Sequence, residues 1–389
     1  MSRPALVQGA GLFLFPTQLI QPLKAILIDC ITPDIDKKTA EYQFQEAENL
    51  IKTFGGVVLV KKIQKKLNPD YKTFIGRGKI DEIIEENKSL KADIIIVNNE
   101  LKPRQTYNLS ELVRKHDLIV WDRIDLILKI FQKHASTKEA KLEIELASIH
   151  HMGPRIFGMG MELSRQAGGI GTRGVGETNI EFMKRHLKKQ EDAIKKELAK
   201  CRKVRKKHRE RRRRQNFKTV GIIGYTNAGK TSLLNALTGK GALSADKLFA
   251  TLDTRVGKMW LPDSQQEVLI SDTIGFIQNL PPKLIKSFAS TLEETIEADL
   301  LLHVIDISDP KMNQKIKTVV DILAQMDLLL KPIIYVFNKL DLLSTPFFDK
   351  KQKVLQKYKK FRPVCISTQT KDGIEGLKQT IQTNLDLTI

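Results

Sequence analysis

From Lys24 to about Ala135 short apolar runs alternate with longer stretches of helical spacing. The runs are AILIDC at 25–30, VVLV at 57–60, DIIIVNN at 93–99 and LIVW at 118–121, and the segment Thr39 to Phe54 is typical of what lies between them. Strands joined through helices of ten or more residues run parallel, so this region predicts a small α/β domain. From Phe217 onward the alternation returns, with strands TVGIIG, VLISD, LLHVID and PIIYVF and helices between. Such runs have no polar alternate face, which predicts a second parallel sheet covered on both sides.

The middle of the chain has a different period. Leu142, Leu146 and Ile149 recur at helical spacing between Ser136 and Met152, and a second, far more basic helix is predicted from about Asn179 to Arg214. Between them lie five glycines in nine residues, Gly168 to Gly176. Two helices joined by such a loop predict an antiparallel hairpin with a glycine-rich tip. The expected organisation is an N-terminal extension at 1–23, an α/β domain at 24–135, the hairpin at 136–215, and a second α/β domain at 216–389.

Composition changes this picture in three places. With 389 residues and 41% hydrophobic content the chain can build several cores. Its three cysteines, Cys30, Cys201 and Cys365, are widely separated, which excludes a disulfide framework and gives no zinc-type pair. The apolar run Ala10 to Phe15 is short and broken by Gly11 and Pro16, so it predicts a loose extension rather than a signal sequence. No apolar stretch reaches the roughly 18 residues of a membrane span, and a cytoplasmic location is expected.

The net charge of +20 is concentrated: Lys184 to Arg214 carries 17 Lys and Arg against 4 acids. Without a polyanion these cations repel one another, which points to RNA phosphates as the partner. A basic amphipathic surface also suits anionic lipid and leaves a peripheral membrane position open. Gly169, Gly171 and Gly174 spell a formal G-x-G-x-x-G, but it follows a helix instead of a strand, so a dinucleotide site is rejected. Gly76-Arg77-Gly78-Lys79, opening a helix at Ile80, reads equally as a phosphate-binding turn and as a plain turn.

The strongest chemistry lies at Gly224-Tyr225-Thr226-Asn227-Ala228-Gly229-Lys230-Thr231, followed by Ser232, in the order strand, glycine loop, helix. This is the P-loop arrangement: backbone N–H groups and the helix N-terminus cradle phosphates, Lys230 reaches the β- and γ-phosphates, and the Thr231 hydroxyl ligates Mg²⁺. Downstream, VLISD runs into Asp272-Thr273-Ile274-Gly275, placing an acid for Mg²⁺ and a glycine N–H for the γ-phosphate. Thr251 occupies the intervening loop as a candidate switch threonine, another Mg²⁺ ligand. Asn338-Lys339-Leu340-Asp341 follows the strand IIYVF. A carboxylate there accepts two N–H bonds from guanine, whereas adenine offers no such donor pair, so the substrate is GTP. Asn338 braces the loop, Lys339 packs on the base, and Ser367-Thr368-Gln369 offers a backbone N–H to guanine, with Thr368 where alanine is usual. Phe276 stands after Gly275 where many GTPases carry a water-orienting glutamine. Whether it marks a catalytic departure or simply packs, slow intrinsic hydrolysis accelerated by a macromolecular partner is expected.

With these motifs in place, the chain resembles the HflX family of translation-associated GTPases, relatives of the Obg proteins. The likeness spans about Lys24 to Leu385 and includes, beyond the GTPase motifs, Gly76-Arg77-Gly78-Lys79, the stretch Thr137 to Leu146, and the loop Ser164 to Glu177. It departs at Val175, where the family usually has proline, and at Thr254, which shortens the segment after Asp253. The resemblance implies binding to the large ribosomal subunit as a monomer. It would place the loop, with Arg165, Gln166, Gly168, Gly169, Gly171, Arg173, Gly174 and Gly176, near the peptidyl-transferase region. It would lay the basic helix, with Lys188, Lys189, Lys195 and Arg202, along ribosomal RNA. Two roles are open: ribosome dissociation or recycling and translation under stress, or a ribosome-assembly or RNA-remodelling factor whose release GTP hydrolysis times.

Overall fold

The structure, a computed structural model, describes residues 22–166, 175–215, 217–239, 255–262, 264–272, 275–277, 284, 296–343 and 347–386. The expectations for residues 1–21, for Gly168, Gly169, Gly171, Arg173 and Gly174, and for Thr251, Thr273 and Ile274 lie outside the described residues. Two compact units separate. One holds the described residues up to Leu101 with Asn108–Leu126, and the other holds Lys102–Tyr107 with the chain from Ile127 onward.

The first unit contains β1 (Leu23–Ile31), α1 (Lys37–Phe54), β2 (Gly56–Lys65), α2 (Arg77–Leu90), β3 (Ile94–Val97) and β4 (Ile119–Asp122), while α3 (Pro103–Arg114) and α4 (Arg123–His134) straddle the division. Its strands lie in the order β2-β1-β3-β4 and all pair in parallel, as the alternation predicts. Ile26, Ile28, Ile95 and Val97 on one face of the sheet pack with Ile80 and Ile83 of α2 and with Leu109 and Val113 of α3. The carboxyl ends of the strands hold a polar network instead. Asp29 accepts hydrogen bonds from Asn98 Nδ2 at 2.8 Å, Asn99 Nδ2 at 2.6 Å and its neighbour Cys30 N at 2.8 Å. Arg123 pairs with Glu46 and donates to Asn98 Oδ1 at 2.7 Å. Burial pushes the Asp29 carboxyl up, and these donors and the Arg123 charge oppose that rise.

The hairpin is α5 (Lys138–Gln166) and α6 (Val175–Arg214). Thr137 Oγ1 caps α5 by accepting from Ala140 N at 3.2 Å. Lys138 pairs with Glu197 at 2.7 Å, Glu139 with Arg205 at 2.8 Å and His150 with Glu191 at 3.2 Å. Lower numbers on one helix meet higher numbers on the other, so the pair is antiparallel. Among the described residues the buried hydrophobic side chains on the two helices are Ala140, Ile144, Ala147, Ile194 and Leu198, whereas the anticipated Leu142, Leu146 and Ile149 are only half-buried. The helices are also longer than expected: α5 continues past Met152 through Pro154, and α6 begins at Val175. Proline removes one amide donor, and the turns on either side keep theirs, so the helix runs on.

The nucleotide-binding part comprises β5 (Lys218–Gly224), α7 (Lys230–Thr238), β6 (Arg255–Leu261), β7 (Gln266–Asp272), β8 (Leu300–Asp306), α8 (Met312–Gln325), β9 (Ile333–Asn338), α9 (Phe347–Lys357), β10 (Val364–Cys365) and α10 (Ile374–Asp386). The sheet order is β10-β9-β8-β5-β7-β6. Val220, Ile222, Leu302 and Val336 pack against α7 and α10 on one face, and Ile223, Leu301, Ile305 and Tyr335 pack with α8 residues on the other. Both faces are covered, as the uninterrupted strand runs require. The sequence pattern gave no hint of β6, which pairs antiparallel with β7 at the edge. Its residues alternate between buried Met259 and Leu261 and exposed Val256 and Trp260, the signature of a half-buried edge strand. Among the described residues no helix is long and apolar enough to cross a membrane.

Hydrogen bonds from Lys195 and then His150 hold the Glu191 carboxyl down at about 2, well below its ordinary 4.5. A lowered carboxylate pKa supplies stability that is complete above the unfolded value and lost as pH falls through the folded one. Glu191→Gln is therefore expected to lower Tm by about 1–3 °C at pH 7, since its partners are largely exposed. The deficit should shrink between pH 4.5 and about 2; a deficit independent of pH in thermal unfolding would contradict the pairing.

Candidate functional site

The site is assembled where parallel strands end, the usual location for ligands in such sheets. The loop leaving β5 must turn sharply under β8. Gly224 has φ +151, and a Cβ there would lie 2.3 Å from the Val304 carbonyl oxygen. Gly229 closes the loop at φ +92, where a Cβ would lie 2.2 Å from Asn338 Nδ2. Both positions admit only glycine, which is why the loop begins and ends on one. Between them Asn227 takes a positive φ of 63 and is exposed, whereas Tyr225, Thr226 and Ala228 are buried.

Lys230, the first residue of α7, is buried, and its Nζ donates to the Tyr225 carbonyl at 2.9 Å across the loop. Burial pulls this ammonium down to about 8, and the nearby Asp272 carboxylate opposes the fall. Thr231 Oγ1 donates to Asp272 Oδ2 at 2.7 Å, joining the start of α7 to the end of β7. A hydroxyl and a carboxylate at this spacing are hard oxygen donors of the kind Mg²⁺ prefers, so the residues fit that ion. Ser232 follows within the first turn of α7.

Gly275 is held against the loop: a Cβ on it would meet Thr226 Cγ2 at 2.7 Å and Lys230 Nζ at 2.9 Å. Phe276 extends the contact through its backbone, accepting from Thr226 N at 2.7 Å and donating to the Gly224 carbonyl at 3.1 Å. Its ring is 1% exposed and belongs to the apolar cluster of Ile223, Tyr225, Leu301 and Val319. Of the two readings of Phe276, packing describes where the side chain is. The ring is turned into the core against Tyr225, and the backbone makes the hydrogen bonds to the phosphate loop.

The third group of residues converges on Asn338, which is fully buried. Its Nδ2 donates to the Ala228 carbonyl at 3.0 Å, and its Oδ1 accepts from Thr368 N at 3.1 Å. One amide thus fastens the phosphate loop to the loop after β10. Asp341 Oδ1 accepts from Ser367 Oγ at 2.5 Å, and Ser367 Oγ in turn accepts from Gln369 N at 3.2 Å and Thr370 N at 3.1 Å. Asp341 and Gln369 are exposed at the rim, where a planar base can reach them. Lys339 takes a positive φ of 67, and its Nζ pairs with Asp306 at 2.8 Å.

Asp306 was missed in the sequence, although an acid at the carboxyl end of LLHVID is a recognisable signal. His303, on the same strand, was missed for lack of any motif. It lies with Tyr225, Thr226, Met312 and Lys315 around a cavity of about 90 Å³ behind the phosphate loop. Burial and the Lys230 charge push its imidazole down to about 3, so it is neutral at physiological pH.

Gly229→Ala would force a left-handed backbone on alanine and displace the Asn338 amide from the Ala228 carbonyl. The expected cost is about 2–4 kcal/mol, read as a fall in Tm of several degrees. Gly239, with φ +68 but open space around its Cβ position, supplies the control, and its alanine variant should lose much less.

With the geometry established, known proteins give the context. Residues 41–132 match the family model described as GTP-binding GTPase N-terminal, 134–212 match GTP-binding GTPase Middle Region, and 219–339 match 50S ribosome-binding GTPase. The chain is 41% identical over 363 residues to the GTPase HflX of Caldanaerobacter subterraneus subsp. tengcongensis, covering 93% of this chain and 80% of that protein. To the GTPase HflX of Escherichia coli K12 it is 38% identical, covering 88% and 78% respectively. The corresponding figures for the GTPase HflX of Methanocaldococcus jannaschii are 37%, 91% and 85%. Among solved structures, the complex of SsGBP with GDP matches at a TM-score of 0.52 and 26% identity, covering 94% of this chain and all of that one. A chain this similar along most of its length hydrolyses GTP, and it belongs to the HflX family of GTPases.

Proposed function

We propose that this protein is a Mg²⁺-dependent GTPase that binds the large ribosomal subunit and acts in ribosome dissociation, recycling or translation under stress, with GTP as its timer. The observation that carries the reading is α6, a 40-residue helix whose segment from Lys184 holds 17 Lys and Arg against 4 acids. Exposed Lys188, Lys189, Lys195 and Arg202 present part of that charge to solvent, a sequence-independent match for RNA phosphates. Arg165 and Gln166 at the end of α5 and Gly176 at the start of α6 flank the loop, which would reach furthest into the ribosome. The relatives' name and the ribosome-binding description of one matched family model support the same partner. The proposed division of labour is 24–135 and 136–215 for ribosomal contact and 216–389 for GTP, in a cytoplasmic monomer.

Within the GTP site, Lys230 would neutralise β- and γ-phosphate oxygens, with the loop amides from Tyr225 to Thr231 around the β-phosphate. Thr231, Asp272 and Thr251 would hold Mg²⁺, which supplies charge neutralisation when bound. The Gly275 N–H would meet the γ-phosphate beside Thr273 and Ile274. Asp341 would select guanine, with Asn338, Lys339, Ser367, Thr368 and Gln369 shaping the base site. Phe276 has no hydrogen-bonding group to aim a water molecule, so turnover in the free protein is expected to be slow and a partner must order the reaction.

The test is single-turnover hydrolysis with and without purified large subunits, for the intact chain and for one lacking residues 166–177. Stimulation on the order of tenfold or more is expected for the intact chain, loss of most of it for the deletion, and no turnover in excess EDTA. Equal rates with and without subunits would overturn the ribosomal role and leave the GTPase. Sedimentation with 70S ribosomes and a non-hydrolysable GTP analogue separates the two roles. Free subunits are the expected product, and binding restricted to immature particles would favour assembly.

A further inference from the structure

The turn between β2 and α2 contains none of the site residues named above, yet it is held by many hydrogen bonds. Asp70 Oδ1 accepts from Lys72 N at 2.8 Å, Thr73 N at 3.0 Å and Thr73 Oγ1 at 3.1 Å. Asp70 and Phe74 exchange both backbone hydrogen bonds, at 2.8 and 3.0 Å. Phe74, at a φ of 71, is buried with Ile75 in the core beneath, and Asn108 Nδ2 ties down the Lys72 carbonyl at 3.0 Å. The turn is therefore rigid, and its rigidity holds two apolar side chains outward: Tyr71 is 66% exposed and Leu67 77% exposed.

The charges around them are one-sided. From Lys61 to Lys79 the chain carries seven Lys and Arg and a single acid, Asp70, which is committed to the turn. Lys61 and Lys62 pair with Glu48, Glu82 and Glu86, Arg77 with Asp81, and Lys79 with Glu82. Among the described residues Lys65, Lys66 and Lys72 form no ion pair. Lys66 is near enough to lower the Asp70 carboxyl, and even so the turn carries more cations than acids next in sequence to an exposed ring, a combination that fits a partner offering phosphates and a flat π-surface together.

We propose that this turn is a second RNA-docking surface: the Tyr71 ring stacks on an unpaired nucleobase while Lys65, Lys66 and Lys72 hold the adjoining phosphates. This deepens the ribosomal reading and rests on it. RNA suits the turn better than a membrane, because two apolar side chains on a rigid turn are a small anchor, whereas a single ring is all that base stacking needs.

The experiment measures binding of the full chain to purified large subunits and to a fluorescent 12-nucleotide single-stranded RNA, across a salt series. Tyr71→Ala is expected to weaken RNA binding by about 5- to 100-fold, and Tyr71→Phe to restore it, since stacking needs the ring and not the hydroxyl. The triple Lys65→Ala, Lys66→Ala, Lys72→Ala variant should lower the salt dependence by about two counterions. GTP turnover without subunits should be unchanged in all of them, and an unchanged circular dichroism spectrum and thermal unfolding curve report that the unit carrying the turn is folded. Wild-type binding that Tyr71→Ala and the lysine triple leave intact overturns this inference and spares the ribosomal reading. A wild-type chain that binds neither probe overturns both. Weakened binding to vesicles of phosphatidylcholine and phosphatidylserine with unchanged RNA binding assigns the turn to membrane and overturns the proposal.

Discussion

One buried amide holds the nucleotide site together. The Asn338 side chain carries a donor group and an acceptor group on one rigid plane; its Nδ2 donates to the phosphate loop and its Oδ1 accepts from the loop after β10. A buried amide left unsatisfied costs about 1–3 kcal/mol, so both loops are fixed whenever the residue is placed. Its neighbours are adapted to it. Gly229 has no side chain because the Asn338 amide occupies that space, and Leu340 N returns to the Ile366 carbonyl at 3.2 Å, closing the same seam from below. The glycine-bounded loop after β5 and the loop after β10 are consequently one mechanical piece.

The unit with the polar network at its strand ends solves a related problem differently. Asp29, Asn98, Arg123 and Glu46 satisfy one another where the parallel strands stop, the place at which such sheets often take ligands. A network of that kind rigidifies the end of the sheet, since every member is a buried polar group that loses a partner if another moves.

Much of this was legible in the sequence because its signals are local. The strand, glycine loop and helix around Lys230 are contiguous, and the residues after β7, β9 and β10 announce themselves by following apolar runs. What escaped depends on tertiary context. β6 alternates weakly, interrupted by Gly257, and only its pairing with β7 makes it a strand. Pro154 reads as a stop, yet the turns flanking it suffice to carry α5 onward. The side-chain direction of Phe276 could not be read, because it is set by a backbone bridge to Tyr225 and an apolar pocket contributed by β5, β8 and α8. His303 became visible only when β8 was placed beside β5.

The length of α6 has a geometric consequence. At 1.5 Å per residue its 40 residues extend about 60 Å, and its final turn lies a few residues before β5, the strand that ends in the phosphate loop. Helix and strand form a lever with a very long arm and a very short one. A tilt of about 5° at the Arg214 end sweeps the Val175 end through about 5 Å. A displacement of about 5 Å at the far end of the hairpin thus corresponds to a small rotation only a few residues before β5.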